Sequence, residues 1–239
     1  MLKSRSQEEE LMDDLESSGP VVDQTLKELD SINKLLGGNH LSLQGLKRIL
    51  KGHEDMEVTI GDLGCGGGEM MKLMADWGRK NGYSLKFIGI DANPNIIEYA
   101  ERNCSDYSEI SFLPINIFSE EFRKIRFDII HSSLFTHHFS DEELVDLFRS
   151  FKSQSRLGII VNDLHRHWLA YFSIKIITSL FSKSQMVKND AALSVARAFK
   201  KTELRTIMEK AGLDQFTLNW KWAFRWKLVY INPSPISLS

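Results

Sequence analysis

Short apolar runs alternate with helical patterns through the middle of this 239-residue chain. The runs have the length of strands, and between them apolar residues recur every three to four positions, which predicts helices. Buried strands joined by helices form right-handed crossovers and therefore a parallel sheet covered on both faces. The predicted strands cover residues 57–64, 85–92, 110–116, 127–134 and 158–164, and the predicted helices between them cover residues 69–81, 95–103 and 141–151.

Both ends of the chain break this alternation. Apolar residues three and four apart predict an amphipathic helix over Val21–Leu36 and a second helix over Leu41–Lys51. Residues 1–19 are polar and acidic, and we expect a frayed helix or a disordered arm there. From Phe216 to Tyr230 apolar and polar residues alternate, which predicts two antiparallel strands or one long bent ribbon. The charged positions of this ribbon predict one solvent-facing side.

These patterns together predict an α/β fold. Its sheet is doubly wound, mostly parallel and seven-stranded, and it ends in an antiparallel C-terminal hairpin. We divide the chain into a polar arm (residues 1–19), N-terminal helices (20–54) and a main domain (55–239). A helical insertion is predicted within the main domain, over about residues 165–200.

The composition limits the classes of function. A net charge of -2 provides no general attraction for phosphate backbones, so no nucleic-acid partner is expected. Cys65 and Cys104 form no C-x-x-C pair, which excludes a disulfide scaffold or a cysteine-rich zinc site. The apolar run Trp168–Phe181 is interrupted by Lys175 and is shorter than the roughly 20 residues that cross a bilayer, so no stable membrane insertion is expected. Because the charged N-terminus has no apolar core of signal-peptide length, we predict a soluble, cytoplasmic protein.

The stretch "GDLGCGGG" places five glycines between a predicted strand and a predicted helix. Such a turn brings bare backbone N–H groups close to a ligand at the carboxyl edge of the sheet. A dinucleotide-binding turn would need a third glycine where Glu69 stands, and this carboxylate would repel a pyrophosphate. The spacing is instead D-x-G-x-G-x-G, from Asp62 to Gly68. It suits a ligand with a cationic group, because Asp62 can face an ammonium.

This turn resembles that of the class I S-adenosylmethionine-dependent methyltransferases, and further marks follow in the order typical of that family. "GIDANP" ends the second strand with Asp91, "LPINIF" follows the third strand, "FDIIHSSLFTHHF" contains the fourth, and "AGL" precedes the hairpin. The resemblance covers about residues 55–231. It implies that S-adenosylmethionine is the cofactor and S-adenosylhomocysteine the product.

The family's binding pattern implies roles for individual residues. Asp91 would accept hydrogen bonds from both ribose hydroxyls, and Asn116 would meet the adenine amino group. The implied cofactor-binding residues are Asp62, Gly64, Cys65, Gly66, Gly68, Asp91, Ala92, Asn93, Asn116, Ile117, His131 and Ser132. Simpler explanations stay open, because Asp91 could only cap the next helix and Asn116 could only turn the chain.

Histidines concentrate where the fourth and fifth strands end, which is where the acceptor of the methyl group would lie. A neutral histidine accepts a phenol or enol proton near pH 7. Asp163 and His165 are two residues apart and could point the same way and orient one another. The candidate catalytic residues are His165, Asp163, His131 and His137. Although His and Asp cluster here, there is no H-x-x-x-H spacing, and no metal is expected.

The insertion and the N-terminal helices often form the substrate lid in this family, and here the insertion is largely apolar. The candidate substrate-binding residues are His138, Trp168, Phe172 and Arg197. We predict methyl transfer to a small apolar acceptor with a phenolic or enolic group, and O-methylation is favoured. The alternatives are C-methylation of a quinone precursor or polyketide-like ring, and a cofactor-binding partner or sensor without catalysis. The protein is expected to be a monomer or a homodimer.

Overall fold

The computed structural model describes residues 2–233 of the chain. The strands in this range are β1 (Glu57–Leu63), β2 (Ser84–Asp91), β3 (Ile110–Pro114), β4 (Phe127–Ser133), β5 (Ser155–Leu164), β6 (Phe216–Lys221) and β7 (Arg225–Ile231). They form one seven-stranded sheet in the order β3-β2-β1-β4-β5-β7-β6. Strands β1 to β5 pair in parallel, and β7 pairs antiparallel with both β5 and β6. The predicted sheet, including its antiparallel end, is confirmed.

The helices lie close to the predicted bounds. In the described part of the chain they are α1 (Pro20–Leu35), α2 (Gly38–Leu50), α3 (Glu69–Asn81), α4 (Pro94–Asn103), α5 (Glu120–Lys124), α6 (Asp141–Gln154), α7 (Trp168–Phe181), α8 (Gln185–Arg197) and α9 (Lys201–Lys210). Short 3-10 helices cover Leu11–Asp13 and Thr136–His138. The helix α5 has only five residues, which is too short for a periodic pattern in the sequence.

Local signals explain where the helices begin and end. Ser140 caps α6 through a reciprocal pair of bonds with Glu143, so the free N–H groups of the first turn are satisfied. Asn93 caps α4, and Pro94 occupies its first position, where a missing N–H costs nothing. Gly82 ends α3 in the left-handed conformation that glycine adopts easily.

Apolar side chains pack on both faces of the sheet. Successive residues of a strand point to opposite faces. Accordingly, Ile130 belongs to the core that includes α6 and α9, and Ile129 belongs to the core that includes α2 and α3. The central strands are therefore buried on both faces, and a polar ligand can reach the sheet only at its carboxyl edge.

Two end segments differ from expectation. The residues from 2 to 19 follow an extended path with one short 3-10 helix, and this path is held to the domain instead of being helical. The Arg5 guanidinium bonds to the carbonyl oxygens of Arg197, His137 and Phe139. In β7, Arg225 is only 2% exposed, so the expectation of a solvent-facing charged side is wrong at this position.

The insertion consists of α7 and α8, which pack together and cover the carboxyl edge of the sheet with α1. Trp168 and five further apolar side chains of α7 are exposed on the outer face of this cover. Within residues 2–233, no helix combines the length and the apolar character that crossing a bilayer would require.

Candidate active site

One large cavity, of about 1510 Å³, opens at the carboxyl edge of the sheet. The turns after β1, β2 and β3 form one part of its lining, with Leu26 of α1 close to Gly66, and α7, α8, the turn after β4 and the β6–β7 turn form the rest. The N-terminal arm contributes to both parts, through Ser17 beside Asn93 and Glu10 beside His137. Pockets for single small ligands are usually about 300–1,000 Å³. The cavity therefore has room for two ligands side by side.

The glycine turn forms one wall of this cavity. Gly64, Gly66 and Gly68 have φ angles of 66°, 51° and 80°, which other residues rarely adopt. The N–H groups of Gly64 and Cys65 donate to the carbonyl oxygen of Ile90, at 2.8 and 3.1 Å, so the turn is tied to β2. A Cβ atom on Gly64 would overlap the ring of Phe135. The glycines thus permit both the turn and the close approach of a neighbouring ring, with Gly64–Gly67 facing the cavity.

Asp91 places a carboxylate at the end of β2, against the same cavity. Burial raises the pKa of Asp91 to about 6, although the N–H groups of Asn93, Gly66 and Ala92 favour its ionised form. Among the described residues no cation forms an ion pair with Asp91. A partly buried carboxylate in these surroundings is suited to accept hydrogen bonds from ligand hydroxyls.

Of the other residues predicted to bind the cofactor, Asn93 and Asn116 also line the cavity, but their side chains have partners, and Gly68 does not line it. Asn93 accepts from the N–H of Asn95 as a helix cap and donates to the carbonyl oxygen of Ser17, at 2.9 Å in each bond. The side-chain oxygen of Asn116 accepts from the N–H of Phe118 at 2.9 Å, so it does turn the chain. Ala92 and Ile117 present apolar surface next to them.

His131 and Ser132 do not line the cavity in the described structure, contrary to the implied contact with the cofactor. His131 is fully buried, and its two ring nitrogens lie 2.6 Å from Asp62 Oδ1 and 2.9 Å from Ser42 Oγ. The buried His131 ring thereby fixes the orientation of the Asp62 carboxylate. The residues that reach the cavity are the next ones, from Ser133 to Phe135.

Asp163 and His137 form a buried pair, of which His137 lines the cavity. His137 Nδ1 lies 2.7 Å from Asp163 Oδ1, and Thr136 donates to Asp163 Oδ2 at 2.5 Å. Burial opposes ionisation of Asp163, but His137 and Thr136 outweigh it and keep the pKa of this carboxyl below its usual range. Burial also opposes the charge on His137, yet Asp163 and Glu10 raise the pKa of His137 to about 9.

The predicted pairing of Asp163 with His165 is wrong. The strand ends at Leu164, so the alternation of side chains does not continue to His165. Nδ1 of His165 accepts from the indole N–H of Trp220 at 3.1 Å, and its ring packs on Trp226. Burial, together with nearby positive charges, lowers the pKa of His165, and this residue lies outside the cavity lining of the described chain.

The N-terminal arm contributes carboxylates that no sequence motif indicated. Glu10 Oε1 lies 3.6 Å from His137 Nε2, and neither atom has a hydrogen-bond partner among the described residues. The Asp13 carboxylate lies 2.5 Å from His138 Nδ1 and 2.7 Å from Arg197 Nη1. These contacts fix the arm over the His137 side of the cavity.

Glu10, His137 and His138 each offer one atom of a metal-ligand type, and these atoms lie within 4.8 Å of one another. Sequence analysis expected no metal, yet this group could hold one. Asp163 and Asp13 occupy the Nδ1 atoms of the two rings, and the raised pKa of His137 favours an ion pair of this ring with Asp163 and Glu10. The arrangement can therefore act in acid–base chemistry.

The predicted substrate-binding residues separate into two groups. Trp168 and Phe172 are 60% and 53% exposed and lie on the outer face of α7, outside the cavity lining, so the structure does not bring them to the cavity and their contact with substrate stays a prediction. Helical periodicity places Ala170, Ile174 and Ile177 on the opposite, cavity-facing side. His138 and Arg197 do line the cavity, as predicted, but they also hold the arm.

Arg225 is the residue that sequence reasoning missed most clearly. It lies at the cavity wall, and its Nε and Nη1 atoms have no hydrogen-bond partner among the described residues. In the sequence it is one charged residue of an alternating ribbon, and the alternation indicated an exposed position. Only the pairing of β7 with β5 shows that Arg225 stands beside Leu164, where the sheet meets the cavity.

Comparison with known proteins agrees with this geometry. A family model described as "Methyltransferase domain" matches residues 54–212. No curated protein matches the chain. The plantazolicin methyltransferase BpumL, solved with SAH, is 15% identical, with a TM-score of 0.64 over 89% of this chain and 94% of that one.

Two further solved structures are similar in fold. Magnesium protoporphyrin IX methyltransferase from Synechocystis, solved with SAH, is 14% identical, with a TM-score of 0.56 over 84% of this chain and 87% of that one. Human N-acetylserotonin methyltransferase, solved with SAM, is 17% identical, with a TM-score of 0.63 over 88% of this chain and 55% of that one.

The fold and the cavity define a class I methyltransferase, as the sequence predicted. The family match covers more than half of the chain, so the protein belongs to the methyltransferase domain family. It is an enzyme of the type that uses S-adenosylmethionine as its cofactor.

Proposed function

We propose that the protein transfers the methyl group of S-adenosylmethionine to a phenolic or enolic oxygen of a small apolar acceptor. The observation that carries this proposal is His137, which is paired with the buried Asp163 and lines the same cavity as the glycine turn and Asp91. A base, a cofactor cradle and an apolar wall thus face one enclosed space. A cytoplasmic location and a monomeric or homodimeric state stay predictions.

The residues present fit the cofactor on two observations. Gly64–Gly67 present their backbone to the cavity, and Asp91 offers a partly buried carboxylate without a cationic partner among the described residues. Gly64–Gly67 would hold the methionyl part, with Asp62 facing its ammonium, and Asp91 would bind the ribose hydroxyls. Ala92, Asn116 and Ile117 would border the adenine. When bound, S-adenosylmethionine supplies an electrophilic methyl group for in-line attack.

The other end of the cavity supports an apolar acceptor. Ala170, Ile174 and Ile177 of α7 face it from above, and Leu36 and Phe224 approach from α1 and the hairpin. Apolar walls with a few polar groups are typical of small-molecule sites. These walls would exclude water and align the acceptor oxygen with the methyl group.

His137 would remove the acceptor proton. Asp163 binds Nδ1 of the His137 ring and fixes its orientation, so Nε2, which is buried beside Glu10 Oε1 at 3.6 Å, would be the atom that accepts a proton. With a pKa of about 9, His137 carries a proton at pH 7 and becomes a base as the pH rises. Its pKa is close to the value of about 10 for an unperturbed phenol, so the proton transfer is nearly balanced.

His137→Gln tests this proposal. We expect kcat to fall by about 10²–10⁴-fold, because the general base is lost, while the affinity for S-adenosylhomocysteine stays within about twofold. For the wild type, turnover should rise with pH up to about 9, as His137 loses its proton. The assay measures S-adenosylhomocysteine formed with a panel of 1-naphthol, 4-alkylphenols and 1,3-diketones, and NMR of the product distinguishes O- from C-methylation.

His165→Gln is the matched control, because His165 lies outside the cavity lining, and its kcat should stay within about twofold of the wild type. Wild-type kcat in His137→Gln would contradict the role of His137 as base. Tight binding of S-adenosylhomocysteine without turnover of any acceptor in the panel would favour a sensor without catalysis over the proposed reaction.

A further inference from the structure

Arg225 is a buried cation that the proposed reaction does not use. It is the first residue of β7, it pairs in register with Leu164 at the end of β5, and it is 2% exposed. Burial lowers the pKa of Arg225 to about 10, against the opposing charge of Asp163, so the guanidinium stays charged at pH 7. Its Nε and Nη1 atoms have no hydrogen-bond partner among the described residues.

No carboxylate in the described chain neutralises this guanidinium at ion-pair distance. Asp163, whose charge acts on Arg225, already accepts hydrogen bonds from His137, Thr136 and the N–H of Leu164. A buried charge without a partner destabilises a protein. A buried guanidinium without a partner at a cavity wall indicates that a bound ligand provides the missing negative charge and hydrogen-bond acceptors.

The N-terminus of α2 meets the Arg225 side chain. A Cβ atom on Gly38, the first residue of α2, would lie 2.7 Å from Cζ of Arg225 and 2.9 Å from its Nη1. No side chain caps this end of the helix, because Gly37 is the N-cap residue. The N-terminus of a helix carries a partial positive charge and free N–H groups. Asn39, the second residue of α2, lines the cavity together with Arg225, so the positive end of the helix and the guanidinium lie at the same wall, which suits an oxyanion.

The position in the sheet separates this site from the glycine turn. The order β1-β4-β5-β7 places Arg225 three strands from β1, a lateral distance of about 14 Å at about 4.8 Å per strand. The apolar face of α7 and the β6–β7 turn border the same end. The oxyanion site thus lies on the acceptor side of the cavity.

We infer that Arg225 and the first turn of α2 bind a carboxylate of the acceptor, which is then an apolar or aromatic acid. This inference rests on the proposed methyl transfer to an apolar acceptor in this cavity. A guanidinium presents parallel N–H groups that match the two oxygens of a carboxylate. Binding the acid at this end would direct the rest of the acceptor towards the cofactor end and His137.

Calorimetry on the full-length protein saturated with S-adenosylhomocysteine tests the inference. The probes are 1-naphthoate and its neutral counterpart 1-naphthalenemethanol. Wild-type protein should bind 1-naphthoate more tightly than the alcohol by about tenfold or more. Arg225→Gln should weaken the affinity for 1-naphthoate by about 10–100-fold and change the affinity for the alcohol by less than about twofold. Lys227→Gln is the matched control, because Lys227 is a cation of the same strand that bonds to Gln44 outside the cavity lining.

Each other outcome decides against the inference in a distinguishable way. If Arg225→Gln binds 1-naphthoate as the wild type does, the carboxylate site is wrong while the apolar acceptor stands. If neither probe binds to the wild type, the apolar acceptor fails as well. If Arg225→Gln weakens S-adenosylhomocysteine but not 5′-methylthioadenosine, which lacks the carboxylate, the anion belongs to the cofactor and not to the acceptor.

Arg225→Met separates binding from folding. Because this change removes an unpaired buried charge, the ligand-free variant should have a melting temperature equal to or above that of the wild type. The rise in melting temperature that 1-naphthoate causes in the wild type should be lost. A ligand-free variant that melts well below the wild type would mean that Arg225 has a structural partner, and the inference would fall.

Discussion

The two ends of the cavity are built differently. At the cofactor end, the glycine turn, Asp91 and Asn116 follow three neighbouring strands, and each belongs to a short sequence motif. At the acceptor end, Glu10 and Arg225 come from opposite termini of the chain. Ligand recognition at the first end depends mainly on backbone conformation, whereas at the second it depends on side chains that only the fold brings together. The comparison teaches that local sequence specifies the first end and tertiary contact the second.

The largest expected effect concerns the rigid cofactor end. Gly64→Ala would place a Cβ atom at a φ of 66° and against the Phe135 ring. Left-handed backbone strain costs about 1–3 kcal/mol and overpacking about as much again, so the free energy of unfolding should fall by about 2–5 kcal/mol. Titration with S-adenosylhomocysteine should show binding lost or weakened by about 100-fold at least, since the turn itself must shift. Urea denaturation and calorimetry measure both quantities.

Gly82→Ala is the matched control for this change. Its φ of 75° is similar, but a Cβ atom there would meet no heavy atom within 4 Å. Its free energy of unfolding should fall only by the cost of backbone strain, about 1–2 kcal/mol, and it should bind S-adenosylhomocysteine normally. Equal losses for the two variants would show that conformation alone, and not the close approach of Phe135, sets the requirement for glycine at the turn.

A smaller effect is expected from Asp91→Asn, which keeps the shape of the side chain and removes its charge. Charge-assisted hydrogen bonds contribute about 1.5–3 kcal/mol, so the affinity for S-adenosylhomocysteine at pH 7.5 should fall by about 10–100-fold. Because burial raises the pKa of Asp91 to about 6, wild-type affinity should also fall as the pH drops below 6. The variant should lack this pH dependence, which calorimetry between pH 5 and 8 can measure.

Stability should change in the opposite direction at this position. A carboxyl whose pKa is raised on folding destabilises the protein once it ionises, so the penalty is absent below its unfolded value of 3.8 and complete above about 6. The ligand-free Asp91→Asn protein should therefore be more stable than the wild type at pH 7, on the order of 1–3 kcal/mol. Asp76→Asn, at an exposed carboxylate, is the control, and loss of stability in Asp91→Asn would contradict the assigned pKa.

The sequence predicts the cofactor end of the cavity better than the acceptor end, because short local motifs form the first. Periodicity indicated α3 with the bounds that it has in the structure and the bounds of the five parallel strands to within three residues, because burial on both faces of a sheet leaves continuous apolar runs. The motifs also indicated that Gly64 and Asp91 reach the cavity. The implied contact of His131 and Ser132 failed because both still lie within β4, and the cavity lining begins at Ser133, where the strand ends.

The acceptor end was predictable only in part. The concentration of histidines indicated His137, but the partner of Asp163 was wrong, since a strand must continue for two-residue spacing to hold. Glu10 has no local signal, because its contact with His137 spans more than a hundred residues. The alternation in β7 described Arg225 as exposed, because periodicity does not show which neighbours cover a strand.

The smallest expected effect tests which face of α7 contacts the substrate. Phe172 and Ile174 are two residues apart on α7, and only Ile174 faces the cavity. Ile174→Ser replaces apolar contact surface with a hydroxyl and should raise KM for an apolar acceptor by about five- to tenfold, with kcat little changed. Phe172→Ser removes a ring that is 53% exposed, so turnover and stability should stay within about twofold and about 0.5 kcal/mol of the wild type. Steady-state kinetics on the two variants compares the faces of one helix directly, and a KM effect confined to Phe172→Ser would support the substrate contact that the sequence predicted.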